Sequence, residues 1–349
     1  MGRTFTLAAA MKTHTVTGAT GLLGAHLVVH LLQQQKQVRV VHRASSQLGI
    51  LKKVLGYYHP KVQEQFDKIE FAEADLLDLP ALEQALQGTD YLYHCAAVVS
   101  FAPADKARML DENPTGTANL VNLALHLGIK KLMHVSSVAA LGRKEGQQHF
   151  DEESHWVESK NNSAYAKSKY LAELEVWRAH EEGLNLVIVN PSIIIGPGPW
   201  QSGSAALFSR IAQGFKFYTQ GVNAYVDARD VAAIMEQLMH SEIDGERFVV
   251  AAENWTYQKF FASVAHALGV KAPSIEVKPW MSNLAWRIEK LKSWLTGKKP
   301  MITKETASTA LQACYYENQK VRQALNFEFR PLEQSVQEIA AFYKKDHSA

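Results

Sequence analysis

Thr17-Gly18-Ala19-Thr20-Gly21-Leu22-Leu23-Gly24 is the stretch that decides how this chain folds. It stands near the N-terminus, behind a short β-leaning segment at residues 14–17 and ahead of a helix-patterned one at 22–34. Glycines between a strand and a helix let the backbone come close to a pyrophosphate, whose charge then rests on the helix N-terminus. Gly18, Thr20, Gly21, Leu22, Leu23 and Gly24 are therefore candidate phosphate-binding positions. Glycines at this spacing also occur in purely structural turns, so the stretch takes its meaning from what surrounds it.

Working outward, β-branched or apolar runs recur at residues 37–42, 69–73, 91–95, 131–136 and 185–190, each followed by helical or turn material. Strands spaced by helices predict right-handed βαβ units and one parallel sheet, an α/β fold of the doubly wound Rossmann type. Such a sheet binds ligands beyond the carboxyl ends of its strands. The pattern changes after Pro191, where Gly196-Pro197-Gly198-Pro199-Trp200-Gln201-Ser202-Gly203 is a turn-rich breaker. Residues 225–239 and 246–251 read as a return to the sheet, and the chain from Trp255 onward is helix-rich. The expected division is a dinucleotide domain at 11–191 and 222–252, with a smaller, helix-rich substrate lobe at 192–221 and 253–349. Within that lobe residues 280–295 form an amphipathic pattern. Leu284, Ile288, Leu291 and Leu295 stand at helical spacing, Trp286 and Trp294 add bulk, Arg287, Lys290 and Lys292 carry charge, and Gly297 and Pro300 close the pattern. It reads as a cover for the lobe's core, with a membrane-surface role as the alternative.

Composition removes several function classes. The 349 residues are 47% hydrophobic and 21% charged, with a net charge of +2, so bulk charge gives nucleic-acid binding no support. Cys95 and Cys314 lie far apart, form no metal spacing and suit a reducing compartment. Fourteen histidines form no H-E-x-x-H or similar cluster, and no metal is expected. No apolar run reaches membrane-spanning length. Met1-Gly2-Arg3-Thr4-Phe5-Thr6 fits the myristoylation pattern, but Met11-Lys12 reads as a natural start and the first ten residues as a loose extension. The expectation is a soluble cytoplasmic protein, monomer or homodimer, that handles small molecules.

Arg43 ends the second predicted strand, and no Asp or Glu occurs between Gly24 and Tyr57. An acid there would bind ribose hydroxyls; an arginine fork suits a 2′-phosphate, which favours NADP(H) over NAD(H). Lys52 and Lys53 follow closely and would add charge to the same phosphate, although Arg43 also reads as a solvated loop charge. Asp75, in Ala74-Asp75-Leu76, would accept from an adenine amino group or cap a helix. Tyr165-Ala166-Lys167-Ser168-Lys169 sets a phenol and an ammonium one helical turn apart, where the cation stabilises a phenolate for general acid–base work. Ser137 follows the predicted strand at 131–136, so its hydroxyl falls at the carboxyl edge of the sheet, within reach of a substrate oxygen.

With these motifs in order, the chain resembles an extended short-chain dehydrogenase/reductase from Met11 to about Tyr343, and within that group the dihydroflavonol 4-reductase-like branch. The resemblance rests on the glycine turn, Asp75-Leu76, His94-Cys95-Ala96-Ala97, Asn113-Pro114-Thr115-Gly116-Thr117-Ala118-Asn119, Ser136-Ser137, residues 165–169, and Asn190-Pro191-Ser192-Ile193-Ile194-Ile195-Gly196. Arg43 and the tail at residues 315–332 point to the branch. The resemblance implies that Ser137 holds the substrate oxygen, Tyr165 exchanges the proton and Lys169 binds the nicotinamide ribose. Asn113 matches a supporting asparagine, or caps its helix. Leu76, Ala96, Ala97 and Val98 would line the cofactor, and Pro191, Ser192 and Ile193 would lie against the nicotinamide. Two departures stand out: the first strand, Thr13-His14-Thr15-Val16-Thr17, is unusually polar and so expected to pack more loosely, and no motif marks the substrate. His94 is expected to be a buried, hydrogen-bonded residue rather than a base. Phe101, Trp200, Phe208, Phe215 and Tyr218 are candidate apolar walls, or plain lobe core. The implied activity is NADPH-dependent reduction of a carbonyl on a small, moderately apolar molecule. The alternatives are a nucleotide-sugar epimerase or dehydratase that retains NAD and a non-catalytic dinucleotide sensor.

Overall fold

The computed structural model describes residues 12–159, 162–282, 284, 286, 287, 289 and 303–348. The chain opens with β1 (Thr13–Thr17), α1 (Leu22–Gln33), β2 (Gln37–His42), α2 (Leu48–Tyr58), α3 (Val62–Phe66), β3 (Glu70–Glu73), α4 (Leu79–Leu86) and β4 (Tyr91–His94). It continues through α5 (Lys106–His126), β5 (Lys131–Val135), β6 (His149–Phe150), α6 (Ala164–Glu181), β7 (Leu186–Pro191), β8 (Ile193–Ile195), α7 (Ala206–Ala212), β9 (Phe217–Tyr218) and β10 (Val222–Asp227). Then come α8 (Ala228–His240), β11 (Glu246–Val250), β12 (Glu253–Thr256), α9 (Tyr257–Leu268), β13 (Ile275–Glu276), β14 (Tyr315–Tyr316) and a C-terminal helix, Leu332–His347.

Seven of these strands build one parallel sheet in the order β3-β2-β1-β4-β5-β7-β11. The order reverses between β1 and β4, the switch point where such sheets open a crevice. One apolar core, including Leu27, Val54 and Leu238, fills one face beneath α1, α2 and α8; a second, including Leu120 and Val176, fills the other beneath α5 and α6. A third core around Trp200, Phe208, Phe260 and Val336 belongs to the substrate side.

Two expectations change here. Residues 225–239 do not return to the main sheet as a strand. Tyr225 to Asp227 pair with β8 in a separate three-stranded sheet, and the chain then runs as α8 onto α1, while β11 does rejoin the main sheet beside β7. Nor does the polar first strand pack loosely. All five of its residues are buried, because Thr15 Oγ1 meets Thr89 Oγ1 at 2.7 Å and Thr17 Oγ1 meets His94 Nδ1 at 2.9 Å. Threonine tolerates burial once its hydroxyl has a partner. The myristoylation pattern and Met11 of the proposed start lie outside the described residues, as do Ile288, Lys290, Leu291, Lys292, Trp294, Leu295, Gly297 and Pro300 of the amphipathic stretch. Among the described residues no helix is long and apolar enough to cross a membrane, and no group of three or more His, Cys, Asp or Glu could hold a metal ion.

Candidate active site

The turn after β1 is shaped by two close approaches. Gly18 takes φ +74°, and a Cβ there would stand 2.6 Å from the Ala96 nitrogen in the loop after β4, across the switch point. A Cβ on Gly24 would stand 2.3 Å from the Gly18 carbonyl oxygen, so that glycine lets α1 sit directly on the turn. No side chain caps α1 and no acid occupies its first turn. Its leading N–H groups are thus left for an anion, as a pyrophosphate cradle requires.

One cleft of about 540 Å³ runs from this turn across the carboxyl ends of β1, β2, β4, β5 and β7. At its outer end stand Arg43, Ser46, Asp75, Leu76 and Arg108. Arg43 is exposed; its backbone nitrogen donates to Ser46 Oγ at 3.1 Å, and its guanidinium has no hydrogen bond or ion pair among the described residues. Asp75 spends one carboxylate oxygen on the Leu77 nitrogen at 3.0 Å, a turn-closing bond rather than a helix cap. Gly116 brings α5 close to Leu76, whose carbonyl accepts from Asn119 at 2.9 Å.

At the inner end Ser136, Ser137, Tyr165, Lys169, Asn113, Pro191 and Ser192 line the same cleft. Ser137 follows β5 in extended backbone, and its Oγ accepts from the Ala139 nitrogen at 3.1 Å. Burial pushes the Tyr165 hydroxyl above its ordinary value, and a hydrogen bond with Ser137 pulls part of that back. Lys169 is only 4% exposed and donates to the Val135 carbonyl at 2.7 Å. Burial lowers its pKa to about 8, with the Glu173 carboxylate opposing the fall. The chain alone therefore does not make the phenol more acidic; burial outweighs the Ser137 hydrogen bond. Asn113 is no cap. It sits inside α5, where its Nδ2 donates to the Val98 carbonyl at 3.0 Å and to Ser168 Oγ at 3.1 Å, and its Oδ1 accepts from the Val98 nitrogen at 2.7 Å. It ties the loop after β4 to α6, the helix that bears Tyr165 and Lys169.

Several expected residues fall elsewhere. Lys52 donates to Gln63 at 2.6 Å on α3, and Lys53 pairs with Asp346 at 2.7 Å on the C-terminal helix, because α2 turns that face away from Arg43. Neither lines the cleft. Ile193 is displaced by its neighbour: alternation along β8 sends Ile193 to the third core and Ile194 to the cleft. Trp200 and Phe208 are buried in that same core, while Phe215 packs on Phe217 and Phe261. Of the five aromatic candidates, Phe101 meets the machinery, its ring edge-on to Tyr165 at 5.6 Å. His94 is buried between Thr17 and Thr117, and burial lowers its pKa to about 3, which suits structure and not acid–base exchange.

Glu173 was not singled out from the sequence. It is 3% exposed and accepts from Ser136 Oγ at 2.5 Å, Asn190 Nδ2 at 2.9 Å and Arg247 Nη1 at 3.2 Å. Asn190 also donates to the Ser137 carbonyl at 3.0 Å. One carboxylate thus joins α6, β5, β7 and β11 beneath the serine and the lysine. Its only sequence signal is a position four residues after Lys169, one helical turn on.

A nicotinamide dinucleotide fits this cleft. The glycine turn offers close backbone approach, and the buried Ser192 hydroxyl, which has no partner among the described residues, lines the inner end.

Comparison with known proteins agrees with this geometry. Residues 14–251 match the model of the NAD dependent epimerase/dehydratase family. A Synechocystis sp. protein named "Putative dihydroflavonol 4-reductase" is 32% identical over 337 residues, 94% of either chain. Sterol demethylase protein B of Methylococcus capsulatus is 30% identical over 275 residues, 76% of this chain and 78% of its own. Among solved structures, the UDP-glucose 4-epimerase of Thermotoga maritima shares the fold with a TM-score of 0.74 at 20% identity, covering 96% of this chain and 99% of the epimerase.

Proposed function

We propose that this chain, which belongs to the NAD dependent epimerase/dehydratase family and is an extended short-chain dehydrogenase/reductase, uses NADPH to reduce a carbonyl group on a small, moderately apolar molecule. The observation that carries this reading is one cleft with Ser137, Tyr165 and Lys169 at its inner end and, at its outer end, Arg43, whose guanidinium has no partner among the described residues. When bound, the cofactor supplies the hydride. Ser137 holds the substrate oxygen, a contribution of about 3 kcal/mol when such a donor is preorganised. Tyr165 gives that oxygen its proton, and Lys169, largely an ammonium at neutral pH, steadies the charge left on the phenol. Asn113 holds the loop after β4 against α6. Arg43 takes the 2′-phosphate, with Ser46 beside it; Asp75 faces the adenine. Val99 and Phe101, both exposed near Tyr165, give the mouth an apolar character. The name of the Synechocystis relative supports reduction as the reaction.

The second reading is an epimerase or dehydratase that keeps NAD through its cycle. The missing acid between Gly24 and Tyr57 and the presence of Arg43 weigh against it. A panel of aldehydes and ketones separates the two. Carbonyl-dependent oxidation of NADPH, faster than that of NADH, is the expected result. Purified protein that carries tightly held NAD(H) and oxidises neither cofactor with any carbonyl overturns the reductase.

A further inference from the structure

The substrate lobe turns an apolar face outward, well apart in sequence from every residue of the cleft. β9 and β13 pair in parallel with Phe217 opposite Ile275, so the two side chains leave the same face of the ribbon, and both are exposed. A helix begins at residue 279. Trp280 is 66% exposed and Leu284, one turn along, 50%. Arg287 continues the stripe and is exposed, while Ser282, on the other side of the helix, is buried beside the Ala307 carbonyl. Leu284 therefore does not cover the lobe's core, as its spacing suggested; it faces away. An indole two-thirds in water, with Leu284 one turn along its helix and Phe217 and Ile275 exposed on the ribbon that precedes it, marks an interaction surface rather than a scattered apolar residue.

The charge around this face says what it meets. Over the described residues between 271 and 289, Lys271, Lys278 and Arg287 stand against Glu276 and Glu289, with Lys278 paired to Glu276 at 2.8 Å. Lys216, Lys271 and Lys278 stand exposed on or next to the ribbon. A second copy would bring the same positive face against itself, which argues against self-association. We propose that this face docks on an anionic membrane surface. Trp280, Leu284, Phe217 and Ile275 enter the interfacial layer, and the surrounding lysines and arginines meet lipid phosphates. A tryptophan, apolar in body with one polar N–H, suits that depth. The face lies outside the cleft, and the proposal stands whatever carbonyl the cleft reduces.

Full-length protein is sedimented with phosphatidylcholine vesicles, with and without phosphatidylglycerol, at low and high salt. Binding to the anionic vesicles alone, weakened by salt and lowered roughly tenfold or more in the Trp280→Ser/Leu284→Ser double variant, is the expected result. Circular dichroism and NADPH affinity, both expected unchanged, show that the variant folds. A second variant, Lys278→Glu/Arg287→Glu, should lose binding through charge alone. No binding, equal binding to neutral vesicles, or binding untouched by both variants overturns the proposal. So does a concentration-dependent dimer that the double variant abolishes, since that would make a second copy the occupant.

Discussion

The two ends of the cleft are built differently. The outer end is backbone and exposed side chains: a glycine turn, an open helix N-terminus, and Arg43, whose guanidinium has no partner among the described residues. The inner end is buried and cross-braced, with Asn113 linking α5 to α6 and Glu173 linking α6 to three strands. Ligand binding can be assembled from local features, each contributing on its own. Proton transfer requires groups from distant elements fixed within a fraction of an ångström, so it needs support from residues that touch no ligand.

The largest expected break in that contrast is Tyr165→Phe. Removing a positioned general acid costs about 10²–10⁴ in turnover. NADPH affinity should barely change, because the outer end carries most of it. Stopped assays with a responsive carbonyl and a fluorescence titration of NADPH check both halves; turnover within tenfold of the parent would remove Tyr165 from the reaction.

Glu173→Gln probes the brace. It leaves Arg247 without its buried counter-charge and weakens the tie to Ser136, at a cost of roughly 2–3 kcal/mol in unfolding free energy after allowing for the partial exposure of Arg247. The pH profile distinguishes positioning from simple instability. With the Lys169 pKa lowered to about 8 by burial, turnover that needs the ammonium falls as pH rises through that value. Glu173 opposes that lowering, so the glutamine variant should lose activity at a lower pH than the parent. Stability moves the opposite way. Lys169 is protonated in both states below about 8, and the burial cost is then present in full. Between about 8 and its ordinary value of 10.5 the folded chain has released the proton that the unfolded chain still holds, and its contribution to stability rises with pH. A variant that is less stable yet keeps an unshifted profile would reduce Glu173 to a structural residue.

The same contrast explains what the sequence alone reveals. The glycine turn is legible because its requirement is local: a positive φ at Gly18 and two backbone approaches that any side chain would block. Ser137, Tyr165 and Lys169 are legible through their order along the chain, although their convergence depends on how α5 and α6 pack. The brace is silent, since Glu173, Asn190 and Arg247 are far apart in sequence and form no pattern of their own. The choice between Ile193 and Ile194 is a matter of strand phase, which a run of three isoleucines does not disclose. Likewise, the spacing of Leu284 gives a helix face but not which face is turned to the lobe.

Arg43→Ala breaks the outer end. Charge-assisted hydrogen bonds to a phosphate contribute about 1.5–3 kcal/mol, so NADPH affinity should fall roughly 10- to 100-fold while NADH affinity stays within about twofold. Equal losses for both cofactors would mean that Arg43 supports the fold of the loop and not the 2′-phosphate.

Lys52→Ala is the smallest expected effect and sharpens the boundary of the outer end. On charge and proximity alone Lys52 belongs with Arg43, nine positions away on the next helix. The geometry separates them: its ammonium lies against Gln63 and over the Phe66 ring at 5.6 Å, a surface contact on α3. A cation that far round α2 is screened by solvent from any phosphate at Arg43. NADPH affinity in the alanine variant should therefore remain within about twofold of the parent at physiological salt, and only a small drift should appear at low salt. A tenfold loss would bring Lys52 back to the phosphate and require α2 to swing its first turn toward the cleft when the cofactor binds.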